Sequence, residues 1–269
     1  MNDLVFQSAN KAKKATKLSY LGGINISAKV TKSTKVNHVL TYILYLAPAS
    51  ESGYNVCSHS TPECRMGCLA SSGRVKMERK AGINTIQNAR IKKTKLFHEN
   101  NEFFMDWLIN EINTKQKYAT NKDFGFAVRL NGTSDIDWKN VKRNGKNIFE
   151  TFPNVDFYDY TKNPNKFFGI APNYHLTLSY TGYNWDACKT LLNKGKNVAM
   201  VFNINKNNNL PKKFNGYDVI DGDITDLRIK DKNGIIVGLH WKDIANVKSN
   251  IKVKNSAFCI QENDERNEY

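Results

Sequence analysis

From residue 36 onward, short runs of β-branched and aromatic residues alternate with stretches whose apolar positions recur at three- and four-residue spacing. Residues 36–46 (VNHVLTYILYL) form the first such run and end just before Pro48, which predicts a strand. Residues 124–130, 155–160, 174–180, 197–202, 217–220 and 234–239 repeat the signature. Between them the period turns helical. Residues 75–98 predict one long helix weakened at Gly82, and 102–118 a second that carries Phe104, Trp107, Leu108 and Ile112 on one face. Residues 138–152 predict a third, weakened at Gly145, and shorter helices follow from Pro164 and over 185–193, the latter stopped near Gly195. Residues 1–35 are polar and Lys-rich, broken by Gly22-Gly23, and read as a partly mobile arm with a short hairpin.

Strands alternating with helices of this length signal βαβ units. The expected fold class is therefore α/β with a largely parallel sheet, as a partial or complete (β/α) barrel. At 269 residues the chain can bury a core without covalent staples. The expected organisation is an arm over 1–35, a single domain over 36–260 and an acidic, solvated tail over 261–269.

Right-handed crossovers place the carboxyl ends of parallel strands on one side, and ligands of such folds bind there. Reading each strand to its end gives Asn131, Ser134 and Asp135, then Tyr160, Thr161 and Lys162, then Ser179, and later Asn203, Asp221, Asp223 and His240. Lys162 suits an anionic group, and Asp135 or Asp223 can hold a ribose hydroxyl or move a proton. These three are the catalytic candidates. Asn131, Ser134, Tyr160, Thr161, Ser179 and Asp221 are candidates to line a substrate. Ser134 or Asp135 can equally cap a helix beginning near Trp138.

Charge adds a partner class. The net charge is +15, and residues 1–100 hold 16 Lys plus Arg against 5 Asp plus Glu, which is +11 of it. A basic half of this kind is the footprint of a polyanion, most often nucleic acid, although it also serves solubility. No apolar run approaches the length of a membrane span, and the N-terminus lacks a signal peptide's apolar core, so a soluble intracellular protein is expected.

Cys57, Cys64 and Cys68 bring three of the five cysteines into one loop after the first main strand, with spacing C-x6-C-x3-C. Thiolates at such spacing suit an iron–sulfur cluster or zinc. With His59 or Cys259 as a fourth ligand the site is closed and structural, whereas an open fourth position can take a cofactor such as S-adenosylmethionine. Cys188 sits within a predicted helix and reads as core. Walker-type, G-x-G-x-x-G and H-E-x-x-H patterns are absent from the sequence. The run from Asp221 to Asp226 starts like a calcium loop, but Lys232 stands where the closing Glu belongs.

Several segments in order resemble the bacteriophage "gene product 88" family: Leu46-Ala-Pro-Ala-Ser-Glu-Ser-Gly-Tyr-Asn-Val-Cys57 with Cys64 and Cys68, Asn88 to Phe97, Val128-Arg-Leu-Asn-Gly-Thr-Ser-Asp-Ile136, Phe157-Tyr-Asp-Tyr-Thr-Lys162 and Asp221-Gly-Asp223. The resemblance spans about residues 40 to 240 and implies a phage or prophage protein acting in the cytoplasm of a bacterial host. The cysteine loop after the first strand is also similar in order to radical S-adenosylmethionine enzymes, whose usual spacing, C-x3-C-x2-C, differs.

Two functions are therefore expected. The first is a metal-bearing, iron–sulfur phage protein acting on a nucleic acid or nucleotide substrate. The second is a non-enzymatic DNA- or RNA-binding phage protein, associated with replication, in which zinc or a closed cluster braces the loop. In that case Arg65, Arg74, Lys76, Arg79 and Arg90 grip phosphate.

Overall fold

A computed structural model describes residues 4–24, 28–243 and 246–269. The chain opens with α1 (Ala9–Thr16), β1 (Gly22–Ile24), α2 (Ala28–Asn37) and β2 (Val39–Leu44). Four helices follow: α3 (Pro62–Met66), α4 (Gly73–Lys80), α5 (Thr85–Glu99) and α6 (Asn101–Asn121). Next come β3 (Gly125–Arg129), β4 (Lys142–Arg143), β5 (Lys146–Asn147), α7 (Ile148–Thr151), β6 (Asp156–Thr161), β7 (Tyr174–Ser179), α8 (Trp185–Asn193) and β8 (Asn197–Asn203). The chain closes with β9 (Lys213–Phe214), β10 (Tyr217–Asp221), β11 (Ile236–His240), α9 (Val247–Lys254), β12 (Cys259–Gln261) and β13 (Asn267–Glu268). It divides into two compact units, one of residues 1–58, 84–159 and 169–175, the other of 59–83, 160–168 and 176–269.

In the first unit the strand order is β1-β2-β3-β6. β2 and β3 run parallel with Val39 opposite Gly125, β3 and β6 run parallel with Ala127 opposite Asp156, and β1 is antiparallel to β2. The predicted apolar face of α6 is buried through Phe104, Trp107, Leu108 and Ile112, as its helical spacing requires. The same helix holds the N-terminal segment in place. The Glu111 carboxylate accepts the N–H groups of Leu21 (2.9 Å) and Gly22 (3.0 Å) and the Tyr42 hydroxyl (2.6 Å). Residues 4–24 and 28–37 thus supply two helices and a paired strand where an arm was expected, and Gly22-Gly23 lies in a strand whose partner is β2.

Two sequence expectations fail for local reasons. The helix over 75–98 is two helices, because α4 stops at Lys80 and the chain turns at Gly82 in a left-handed conformation, φ 71°. The helix over 138–152 is a single 3-10 turn followed by the β4–β5 hairpin and the short α7. Asn144 and Gly145 both have positive φ, 51° and 78°, which is the two-residue hairpin turn that Asn-Gly favours.

In the second unit β7, β8, β11 and β10 lie side by side and parallel, and β12 also pairs with β8 in parallel. Leu178, Val198, Met200, Phe202, Ile236 and Ile260 are buried together with Leu191 and Leu192 of α8. β11 carries three consecutive buried residues from Ile236 to Gly238, the pattern of a strand covered on both faces. β9 and β13 end this ladder in antiparallel pairing, so Asn267 and Glu268 of the expected solvated tail are hydrogen-bonded strand residues. The parallel α/β expectation holds, but a closed barrel is not formed among the described residues. Strand order terminates on β1 in the first unit and on β13 in the second.

Candidate metal centre

β10 and β11 of the second unit are parallel, with Asp221 opposite Gly238, so their carboxyl ends lie side by side. The chain leaves β10 through Gly222, whose N–H donates to the Gly238 carbonyl at 2.8 Å. A Cβ at 222 would come within 2.9 Å of Leu239 Cδ2 and 3.0 Å of the Gly238 carbonyl oxygen, so the bare glycine lets Asp221 and Asp223 flank a turn pressed onto β11. The turn is closed from within, since Asp223 N–H donates to Asp221 Oδ1 at 2.8 Å.

Asp223 is then fixed to the neighbouring strand. Its Oδ2 accepts the His240 N–H at 2.9 Å and lies 3.4 Å from His240 Nδ1, while its Oδ1 lies 2.8 Å from Lys242 Nζ. His240 Nε2 is 3.1 Å from the Asn208 carbonyl oxygen. A carbonyl can only accept, so Nε2–H donates to it and the ring is held with Nδ1 toward Asp223. A carbonyl behind the second ring nitrogen is how metal-bound histidines are oriented. Ligand atoms of Asp221, Asp223 and His240 lie within 4.8 Å of one another, the sole group of this kind among the described residues.

Two carboxylates and one imidazole suit a first-row divalent ion such as Mn²⁺, Fe²⁺ or Zn²⁺ better than a thiolate-seeking one. A polar cleft of about 610 Å³ opens at the carboxyl ends of β8 and β12, lined by Asn203, Asn205, Lys254, Gln261, Glu262 and Asn263. Asn208 links the two features, because its side-chain amide donates to Glu262 Oε1 at 3.2 Å while its carbonyl faces His240.

Of the predicted strand-end residues, Asp221 and Asp223 belong to this centre. Tyr160, Thr161, Lys162 and Ser179 fall in the same unit but outside the ligand cluster. Thr161 is buried and its hydroxyl caps the following turn by accepting Asn163 N–H at 3.0 Å, and the Ser179 carbonyl accepts the Asn184 side-chain amide at 3.1 Å. In the first unit Asn131 and Ser134 are buried in a polar network. Asn131 Oδ1 accepts the Ser134 hydroxyl (2.9 Å), Ile136 N–H (2.9 Å) and Trp138 Nε1–H (3.2 Å). Asp159, which the strand-end reading passed over, accepts Asn131 N–H at 2.8 Å and the Tyr174 hydroxyl at 3.1 Å. Burial, with Asp159 second, pushes the Tyr174 phenol well above its ordinary value. Asp135 is half-buried and its N–H donates to the Val56 carbonyl at 2.8 Å. His240 closes a predicted strand; what the sequence could not show was its pairing with an Asp-Gly-Asp turn on the adjacent strand.

The cysteines divide by exposure. Cys57, in the first unit, is half-buried with its Sγ 3.4 Å from Ala49 N. In the second unit Cys64 lies within α3 and Cys68 two residues after its end, both half-buried. Cys188 and Cys259 are buried, and burial pushes both thiols up to about 12. Among the basic candidates Arg65, Arg74 and Arg79 are exposed and Lys76 half-buried on α3 and α4 of the second unit. Arg90 lies on α5 of the first unit, its guanidinium 5.2 Å from the centre of the Tyr45 ring.

Residues 4–262 match the family described as Gene product 88. Neither a curated protein nor a solved structure matches the chain. No described helix is long and apolar enough to cross a membrane.

Proposed function

This chain belongs to the phage Gene product 88 family, and from that premise we propose that it is a divalent-metal-dependent protein acting on a nucleic acid or nucleotide. Asp221, Asp223 and His240 are the ligands in this reading. The observation that carries it is the convergence of their three ligand atoms within 4.8 Å at the carboxyl ends of adjacent parallel strands. A metal there supplies Lewis acidity toward a phosphoryl oxygen or activates a bound water. The chain's own part is to hold the ligands. Gly222 permits the tight turn, the Asn208 carbonyl orients the imidazole ring, and the His240 N–H orients the Asp223 carboxylate. The net charge of +15 supports the polyanion half of the reading.

The test is binding or turnover of single- and double-stranded DNA and RNA, and of nucleoside triphosphates, with and without Mn²⁺, across a salt series. Mn²⁺-dependent binding or cleavage that Asp221→Asn abolishes is the expected result. Nucleic acids and nucleoside triphosphates that neither bind nor react in Mn²⁺ at low salt refute the reading.

A second reading places an iron–sulfur cluster or zinc on the cysteine loop, with S-adenosylmethionine at an open position or with the chain as a DNA- or RNA-binding phage protein. What supports it is that Cys57, Cys64 and Cys68 are partly exposed while the other two cysteines are core residues. Anaerobic purification with iron, zinc and sulfide analysis separates the readings. Iron and sulfide lost on Cys64→Ala favour the cluster, and an ion lost on Asp223→Asn favours the carboxylate centre.

A further inference from the structure

We infer that Lys242 is a built-in stand-in for the ion of this centre, and that the ion's arrival releases its ammonium to bind a phosphate group of the substrate. The inference rests on the metal reading of Asp221, Asp223 and His240.

The backbone brings the two basic side chains together. The β8–β11 ladder continues one residue beyond His240, since Trp241 N–H donates to the Phe202 carbonyl at 3.0 Å. With a two-residue period, His240 and Lys242 then leave the chain on one side and Trp241 on the other. Trp241 is tethered by its Nε1–H to Asn250 Oδ1 at 2.8 Å, which fixes the segment from behind.

The Asp223 carboxylate is thereby shared between two kinds of partner. Oδ2 is held by the His240 backbone N–H at 2.9 Å. Oδ1 is held by Lys242 Nζ at 2.8 Å, and the Lys242 side chain is 46 % exposed. That ammonium offsets the charge of the Asp223 carboxylate. Its four-carbon stem and exposure allow it to leave, and water solvates it when it does. A divalent ion on the same carboxylate brings a larger charge, takes Oδ1 as a ligand and repels the ammonium. The released ammonium stays tethered within reach of the ion, and a phosphate oxygen on each cation satisfies both. A tetrahedral phosphate offers the several oxygens this bridging needs.

Metal and phosphate binding are then coupled, and linkage requires the coupling to be reciprocal. The experiment is isothermal titration of the full chain with Mn²⁺ alone, with inorganic phosphate alone, and with phosphate after Mn²⁺ loading. Wild type, Lys242→Met and Lys242→Arg are compared. Removing a like charge and an ion pair from the centre makes Mn²⁺ bind about tenfold tighter in Lys242→Met. In wild type, Mn²⁺ loading raises phosphate affinity, and phosphate raises Mn²⁺ affinity by the same factor. Lys242→Met loses that enhancement and Lys242→Arg keeps it. Equal or weaker Mn²⁺ binding in Lys242→Met, or phosphate binding indifferent to Mn²⁺ in wild type, overturns the inference while leaving the metal reading standing. Mn²⁺ binding absent from all three proteins overturns the metal reading and the inference with it.

Discussion

Replacing Asn131 by alanine tests whether this predicted substrate residue is instead a structural hub. Asn131 is 3 % exposed and its amide oxygen accepts from Ser134, Ile136 and Trp138, while its amide nitrogen donates to the Ile136 carbonyl at 3.0 Å. Alanine removes the shared acceptor of three donors in this network. At about 1–3 kcal/mol for each buried group left unsatisfied, with partial relaxation, the loss is about 3–5 kcal/mol. That is a large fraction of the roughly 5–15 kcal/mol by which domains of this kind are stable. Urea denaturation followed by tryptophan fluorescence reads it directly, because Trp138 is one of the orphaned donors. The expected result is a midpoint shifted far down at an unchanged slope. A loss below about 1 kcal/mol refutes the hub, since it is no more than a single ordinary hydrogen bond contributes.

Gly222→Ala forces a Cβ against Leu239 and the Gly238 carbonyl, so it costs about 1–3 kcal/mol in thermal denaturation and weakens Mn²⁺ binding through the displaced turn. Lys93 is buried, and burial lowers its ammonium to about 8, so below that pH the folded chain holds a charge it disfavours. The unfolded lysine stays protonated to about 10.4, so this group's contribution to stability rises with pH from about 8 upward. Lys93→Met is accordingly stabilising at pH 7 by about 1–3 kcal/mol, with a smaller gain at pH 9.5, and equal gains at both pH values refute the assignment. Thiol titration of the native, metal-free chain labels Cys57, Cys64 and Cys68 quickly and Cys188 and Cys259 only after unfolding, given the exposure of the first three.

The sheet was legible because its strands are short β-branched and aromatic runs with helices between them, and α8 begins at Trp185 and ends at Asn193 as its spacing predicts. Legibility failed where a local turn overrides periodicity. Asn144-Gly145 is a strong hairpin signal set inside a weak helical pattern, and a reading that treats Gly145 only as a helix weakness misses it. It failed again for α9, β9, β12 and β13, which are short, polar or dependent on distant partners. Strand ends placed Asp221 and Asp223 side by side with β11 because parallel topology fixes where carboxyl ends lie. The same rule does not show that Asn131 and Ser134 are engaged with their own loop, through the Asn131 amide oxygen. Asn208 carries no sequence signal at all, because its role is a main-chain carbonyl placed by tertiary structure.

The most direct test of the metal centre is equilibrium binding of Mn²⁺, followed by electron paramagnetic resonance, to the wild-type chain, to Asp223→Asn and to His240→Ala. One tight ion per wild-type chain, with affinity reduced at least about tenfold in each variant, is the predicted result. Binding of equal strength in all three contradicts it.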